Sequence, residues 1–136
     1  MNLVAHSMLM WLLILVAMFG NGVLRVGVLQ PRLGEDLARQ VASLTGIAVV
    51  LGLSRLLVPR LGRRAGRELV GVGAIWLALT LAFEFGFGRY VSGLGWQTLL
   101  EDYDVLRGRL WPLVLLTTFA APWFWGRILA APGDPA

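Results

Sequence analysis

MLMWLLILVAMF, residues 8–19, is twelve apolar side chains in a row without a charge, and its flanks extend the apolar run over residues 7–29. A helix needs about 20 residues to cross about 30 Å of hydrocarbon, so a run of this length predicts a membrane crossing. Three further runs lie at 41–58, 69–87 and 110–129, separated by short connections that carry arginine. The pattern predicts an all-α integral membrane protein. Its four transmembrane helices fall at approximately 7–29, 35–58, 69–88 and 110–129, packed as one small bundle in a single domain covering residues 1–136.

At 136 residues, 57% hydrophobic and mean hydropathy +0.73, the chain has room for one such bundle and none for a second, soluble domain. A net charge of +4 and a pI near 11.0 would suggest nucleic acid in a soluble protein. Here the basic residues lie between apolar runs, where they set topology and meet headgroups, so the expected partner is membrane lipid and not nucleic acid. Cysteine is absent and histidine occurs once, which removes thiolate nucleophiles, bis-histidine haem and histidine metal clusters. No metal, cofactor or catalytic residue is expected. The glycine pairs at 86–88 and 93–95 lack the Lys-Ser/Thr of a phosphate-binding loop. The residues before the first run carry no Lys or Arg, and its apolar core exceeds the about 7–15 residues of a signal-peptide core, so it reads as a retained helix.

The first run meets Gly20-Asn21-Gly22 and Arg25 near its far end, and Pro31 is expected to stop it. Glu35 and Asp36 then supply negative charge to the positive end of a second helix. That helix runs to about Val58, before Pro59. Arg55, Arg60, Arg63, Arg64 and Arg67 crowd the next connection with no acidic residue among them, which marks it as cytoplasmic, places both termini inside and suggests a bacterial inner (plasma) membrane. The basic residues nevertheless divide six to six between the two ends, which leaves the orientation open. Arg60, Arg63, Arg64 and Arg67 are the candidate ligands for lipid headgroups.

Helix three carries Ala74, Ala78, Ala82 and Gly86, a small residue at every fourth position. Such a stripe admits another helix backbone, and it reads first as intramolecular packing and second as a subunit interface. Between helices three and four, Trp96, Leu99, Leu100, Tyr103 and Leu106 recur at helical spacing. Residues 96–107 are therefore expected to form a short amphipathic helix in the membrane interface. Glu101, Asp102 and Asp104 lack any defined cation-loop spacing and read as a solvated face. Residues 131–136 are expected to be a disordered tail.

Glu84 is the sharpest candidate for function, because an ionisable group inside an apolar helix is costly and is normally paired or turned to a polar cavity. At 100° per residue it lies about 140° from the mean direction of the Ala/Gly stripe. Alternating crossings bring the end of helix one, the start of helix two and the end of helix three to one membrane side. Asn21, Arg25, Arg39, Gln40, Glu84 and Arg89 therefore share a depth. The expected arrangement is an Arg25–Glu84 pair whose hydrogen bonding is completed by Asn21 and Gln40, acting either as a static bridge or as a proton-, ion- or headgroup-binding site. Three functions fit: a transport or channel-like protein working as a homo-oligomer, an accessory subunit of a larger membrane complex, or a lipid-modifying enzyme. The second and third are alternatives to the first, and an enzyme is the least favoured.

Overall fold

A computed structural model describes residues 2–62, 64–91, 93, 95–97 and 110–129. All regular structure among them is helical. Helix α1 begins at Leu3, capped by the Asn2 side chain, which accepts from the Ala5 N–H at 2.8 Å. It runs as an α-helix over Leu3–Leu24, continues as a π-helical turn over Arg25–Leu29 and closes with Gln30–Leu33. Pro31 thus does not stop it. Proline lacks an N–H and its ring crowds the carbonyl four residues back, and the wider turn just before it relieves that clash. The stop is Gly34, whose φ of 84° takes the chain out of the helix while its N–H bonds the Gln30 carbonyl at 3.0 Å.

Helix α2 spans Glu35–Leu57 and tightens to a 3₁₀ turn over Val58–Leu61, where Pro59 cannot donate to the ladder. Gly62, with φ 80°, turns the chain toward helix α3. The short connection is fastened by Glu68, which accepts from the Ala65 N–H at 3.3 Å and from the Arg64 guanidinium at 3.3 Å. Helix α3 covers Gly66–Gly86 and is prolonged by a second π-helical turn, Phe87–Val91. Helix α4 is Trp111–Ile128. Of the expected interfacial helix, only Trp96 and Gln97 fall among the described residues.

Three helices are long and apolar enough to cross a membrane: Leu3–Leu33, Glu35–Leu61 and Gly66–Tyr90. The expected count of four is met only in part. Helix α4 has 18 residues, but Trp111, Trp123, Trp125, Pro112, Pro122 and Arg127 dilute its apolar content.

Helix α1 packs on α2 and α3, and α4 packs on the same two, so α1 and α4 lie across a diagonal. The closest approaches are made by small residues. On α2, Ala38, Ala42, Gly46, Val50 and Ser54 recur every fourth position and all are buried. A Cβ on Gly46 would come within 2.9 Å of Met18 Cε on α1. On α3, Gly73 lies against the Phe119 carbonyl of α4. Packing of this kind, with hydrogen bonds between helices, carries association where lipid is as apolar as the side chains.

Tryptophan supplies many of those hydrogen bonds. Trp76, fully buried, donates to the Ser7 carbonyl of α1 at 2.9 Å, and Trp11 of α1 donates back to the Thr80 hydroxyl of α3 at 3.0 Å. Trp125 donates to the Leu51 carbonyl at 2.9 Å, tying α4 to α2. The stripe expected to pack within the bundle turns largely outward among the described residues. Ala74, Ala78 and Ala82 are exposed, and the inward face of α3 is Leu69, Val72, Gly73 and Trp76.

Candidate functional site: a charged cavity at one end of the bundle

The diagonal gap between α1 and α4 is not filled at the end that holds the α1–α2 connection. A cavity of about 750 Å³ occupies it. Its walls are mostly apolar: Ile14, Met18 and Phe19 from α1, Ala42 and Val50 from α2, Phe83 and Phe87 from α3, and Val114 from α4. The polar lining is small and specific, with Arg25, Arg39, Ser43, Thr80, Glu84, Trp111 and Thr118. Apolar walls with a few placed polar groups, in a volume between about 300 and 1,000 Å³, are the usual make-up of a small-molecule site.

Each polar residue reaches the cavity for a local reason. Glu84 is inward because the exposed Ala74, Ala78 and Ala82 stripe takes the opposite side of α3. It lies just ahead of the turn Phe87–Val91, and the Phe87 N–H bonds the Glu84 carbonyl. Arg25 opens the other π-helical turn, so both wide turns flank the charged end. Such turns hold an extra residue and shift the phase of the next helical segment, which is why they recur beside functional groups. Arg39 lies one turn into α2 and is tethered to Glu35 at 2.9 Å. Thr80 accepts from Trp11 and donates to the Trp76 carbonyl at 2.7 Å, and Thr118 donates to the Val114 carbonyl at 2.9 Å. Both hydroxyl protons are therefore already engaged.

Three of the six residues singled out in the sequence line the cavity together: Arg25, Arg39 and Glu84. Arg25 and Glu84 share its wall, but the direct pair expected between them is not among the contacts of the described residues. Asn21 works elsewhere, donating to the Ala42 carbonyl at 2.9 Å and accepting from Thr45 at 2.8 Å, so it joins α1 to α2 instead of completing a bridge with Gln40. Gln40 is half-buried and is not among the residues that line the cavity. Arg89 lies over the Trp96 ring, 5.7 Å from its centroid, and Trp96 in turn packs on Phe85.

One member had no sequence signal of its own. The Trp111 indole nitrogen is buried on the cavity wall without a hydrogen-bond partner among the described residues. Buried indole N–H groups usually find an acceptor, as Trp11, Trp76 and Trp125 do here. The Trp111-Pro112 pair signals only a helix start.

At the opposite end, Arg60 and Arg67 are exposed, whereas Arg64 is held by the Leu61 carbonyl at 3.0 Å and by Glu68. Arg63 lies outside the described residues, as do Glu101, Asp102 and Asp104 and the tail. Arg55 and Arg127 stack over Trp125 and Trp123, at 5.8 and 5.5 Å from the ring centroids. Among the described residues no group of three His, Asp or Glu is placed to hold a metal ion.

Comparison with protein-family models, curated proteins and solved structures finds no match. Fold and site together define an all-helical protein with three helices able to cross a membrane and a charged cavity between them.

Proposed function

We propose that this chain is a small membrane transport or channel-like protein whose cavity holds a small amphiphilic solute, with Arg25, Arg39 and Glu84 at the solute's polar end. The observation that carries the reading is the cavity itself: drug-sized, apolar over most of its wall, and charged where the helices end. Trp111 supports it, because a buried N–H without an acceptor is costly until a ligand provides one. Ser43 adds a second uncharged polar group.

In this reading α4 is the fourth crossing. Its 18 residues reach about 27 Å, and the exposed Trp123, with Arg127 over its ring, suits a headgroup level near one end. The end with Arg55, Arg60, Arg64 and Arg67 faces the cytoplasm of a bacterial inner membrane, with both termini beside it. Beyond the cavity the helices close tightly, at Gly73 on Phe119 and at Gly126 on Leu69. One copy therefore offers a site open to one side, and passage through the membrane requires either a second arrangement of the helices or assembly of several copies.

The test is retention of single-chain amphiphiles by the detergent-solubilised protein, read by native mass spectrometry, which also counts copies. Glu84→Gln and Trp111→Phe should each weaken binding roughly 10-fold or more, the weight of a lost charged or buried hydrogen bond. Unchanged retention in both variants, with melting also unchanged, overturns the reading.

A second reading has one observation in its favour. Gly71, Ala74, Ala78 and Ala82 present small residues outward on α3, a surface on which a helix of a larger complex can lie closely. Recovery of a foreign membrane protein in stoichiometric amount, with no homo-oligomer, favours that accessory role.

A further inference from the structure

A second concavity lies on the outside of the bundle, between α1 and α2, near the arginine-rich end. Met10, only 7% exposed, forms its floor, while Leu13, Val16 and Leu56 stand up as walls at 57%, 70% and 64% exposed. His6 and Arg60 close one end, and no acidic residue is among the described residues that line it. From His6 to Ala17 the groove follows α1 for about 16 Å at 1.5 Å per residue, close to the roughly 15 Å that one leaflet contributes to a hydrocarbon core. It is a leaflet-deep apolar channel with a cation at its mouth.

We propose that this groove binds one anionic phospholipid, with an acyl chain along Met10 and Leu57 and the phosphate on Arg60, assisted by His6. The proposal is independent of what the inner cavity holds. Charge complementarity selects the occupant, because any lipid chain can fill the apolar part but only an anionic headgroup gains from a guanidinium with no carboxylate among the described residues of the groove. Two of the neighbouring arginines, Arg64 and Arg55, are committed elsewhere, and Arg67, though exposed, does not line the groove. Arg64 is bound to the Leu61 carbonyl and to Glu68, and Arg55 stacks on Trp125, whereas Arg60 stands exposed at the groove's mouth.

The experiment adds phosphatidylglycerol or phosphatidylcholine of identical chains to the full-length protein in mild detergent and counts retained lipids by native mass spectrometry. Phosphatidylglycerol should be retained several-fold over phosphatidylcholine. Arg60→Gln should lower its retention about fivefold, the weight of one basic residue at a charged surface. Arg67→Gln, exposed but outside the groove, should leave it unchanged. Filling the groove with Ala17→Phe, or removing a wall with Leu56→Ala should that variant fail to fold, should weaken both lipids alike. Equal retention of the two lipids by the native protein overturns the proposal. So does an Arg67→Gln loss equal to that of Arg60→Gln, or full retention by a folded groove variant.

Discussion

Gly73→Ala is the substitution whose cost can be read most directly from the packing. A Cβ added at Gly73 would sit inside the van der Waals shell of the Phe119 carbonyl oxygen and 2.9 Å from its carbonyl carbon. Carbon–oxygen contacts of this kind settle near about 3.3–3.6 Å, so α3 and α4 must part by an ångström or so. The obstacle is backbone, which cannot swing aside as a side chain can. Overpacking at such a site costs about 1–3 kcal/mol. Gly71→Ala is the matched control, since Gly71 is exposed and its added Cβ meets nothing within 4 Å. There alanine's helix propensity should contribute up to about 1 kcal/mol of stability. Because the same propensity gain applies at both positions and cancels, the two alanines, placed two residues apart on one helix, should differ by the overpacking cost, about 1–3 kcal/mol. Reversible unfolding in mixed micelles, monitored by circular dichroism against the mole fraction of dodecyl sulfate, measures that difference. Equal stability of the two variants would refute the close α3–α4 contact.

Trp76→Phe keeps the buried ring but loses the N–H donated to Ser7, and should cost about 0.5–1.5 kcal/mol in the same assay, whereas Trp76→Ala should cost about 3–5 kcal/mol by leaving a cavity. Asn21→Ala removes the hydrogen bonds to Ala42 and Thr45 and should destabilise the α1–α2 contact by about 1 kcal/mol; no loss would mean that this crossing does not form in the membrane. Gly46→Leu should be more severe, because Met18 and Asn21 already crowd that position, and a variant as stable as the native protein would argue against the buried stripe on α2.

The helices were legible because long uncharged runs have few other uses in so short a chain, and Gly34 and Glu35 punctuate them plainly. Pro31 misled, since its clash is relieved by the wide turn Arg25–Leu29, a backbone adjustment with no residue signature. The packing face of a helix is harder to read than its position. Small residues recur every fourth position on both α2 and α3, but lipid and protein are equally apolar, so spacing alone cannot say which stripe meets a helix. Ala38, Ala42, Gly46, Val50 and Ser54 turn inward, while Ala74, Ala78 and Ala82 turn outward. Glu84 stood out as an ionisable group in an apolar run, and Arg25 and Arg39 were placed beside it by the alternating crossings. Trp111 could not be found that way, because whether an indole N–H has an acceptor depends on the neighbouring helices and not on its own sequence context.

The up-and-down order of α1, α2 and α3 is what brings Arg25 and Glu84 to one end of the bundle, away from Arg67. The chain has no cysteine, so Arg25→Cys, Glu84→Cys and Arg67→Cys each offer a single thiol to a membrane-impermeant maleimide applied to sealed vesicles of one orientation. Positions 25 and 84 should label from the same side and position 67 from the other. Labelling of 25 and 84 from opposite sides would contradict the fold, the cavity and the function drawn from them.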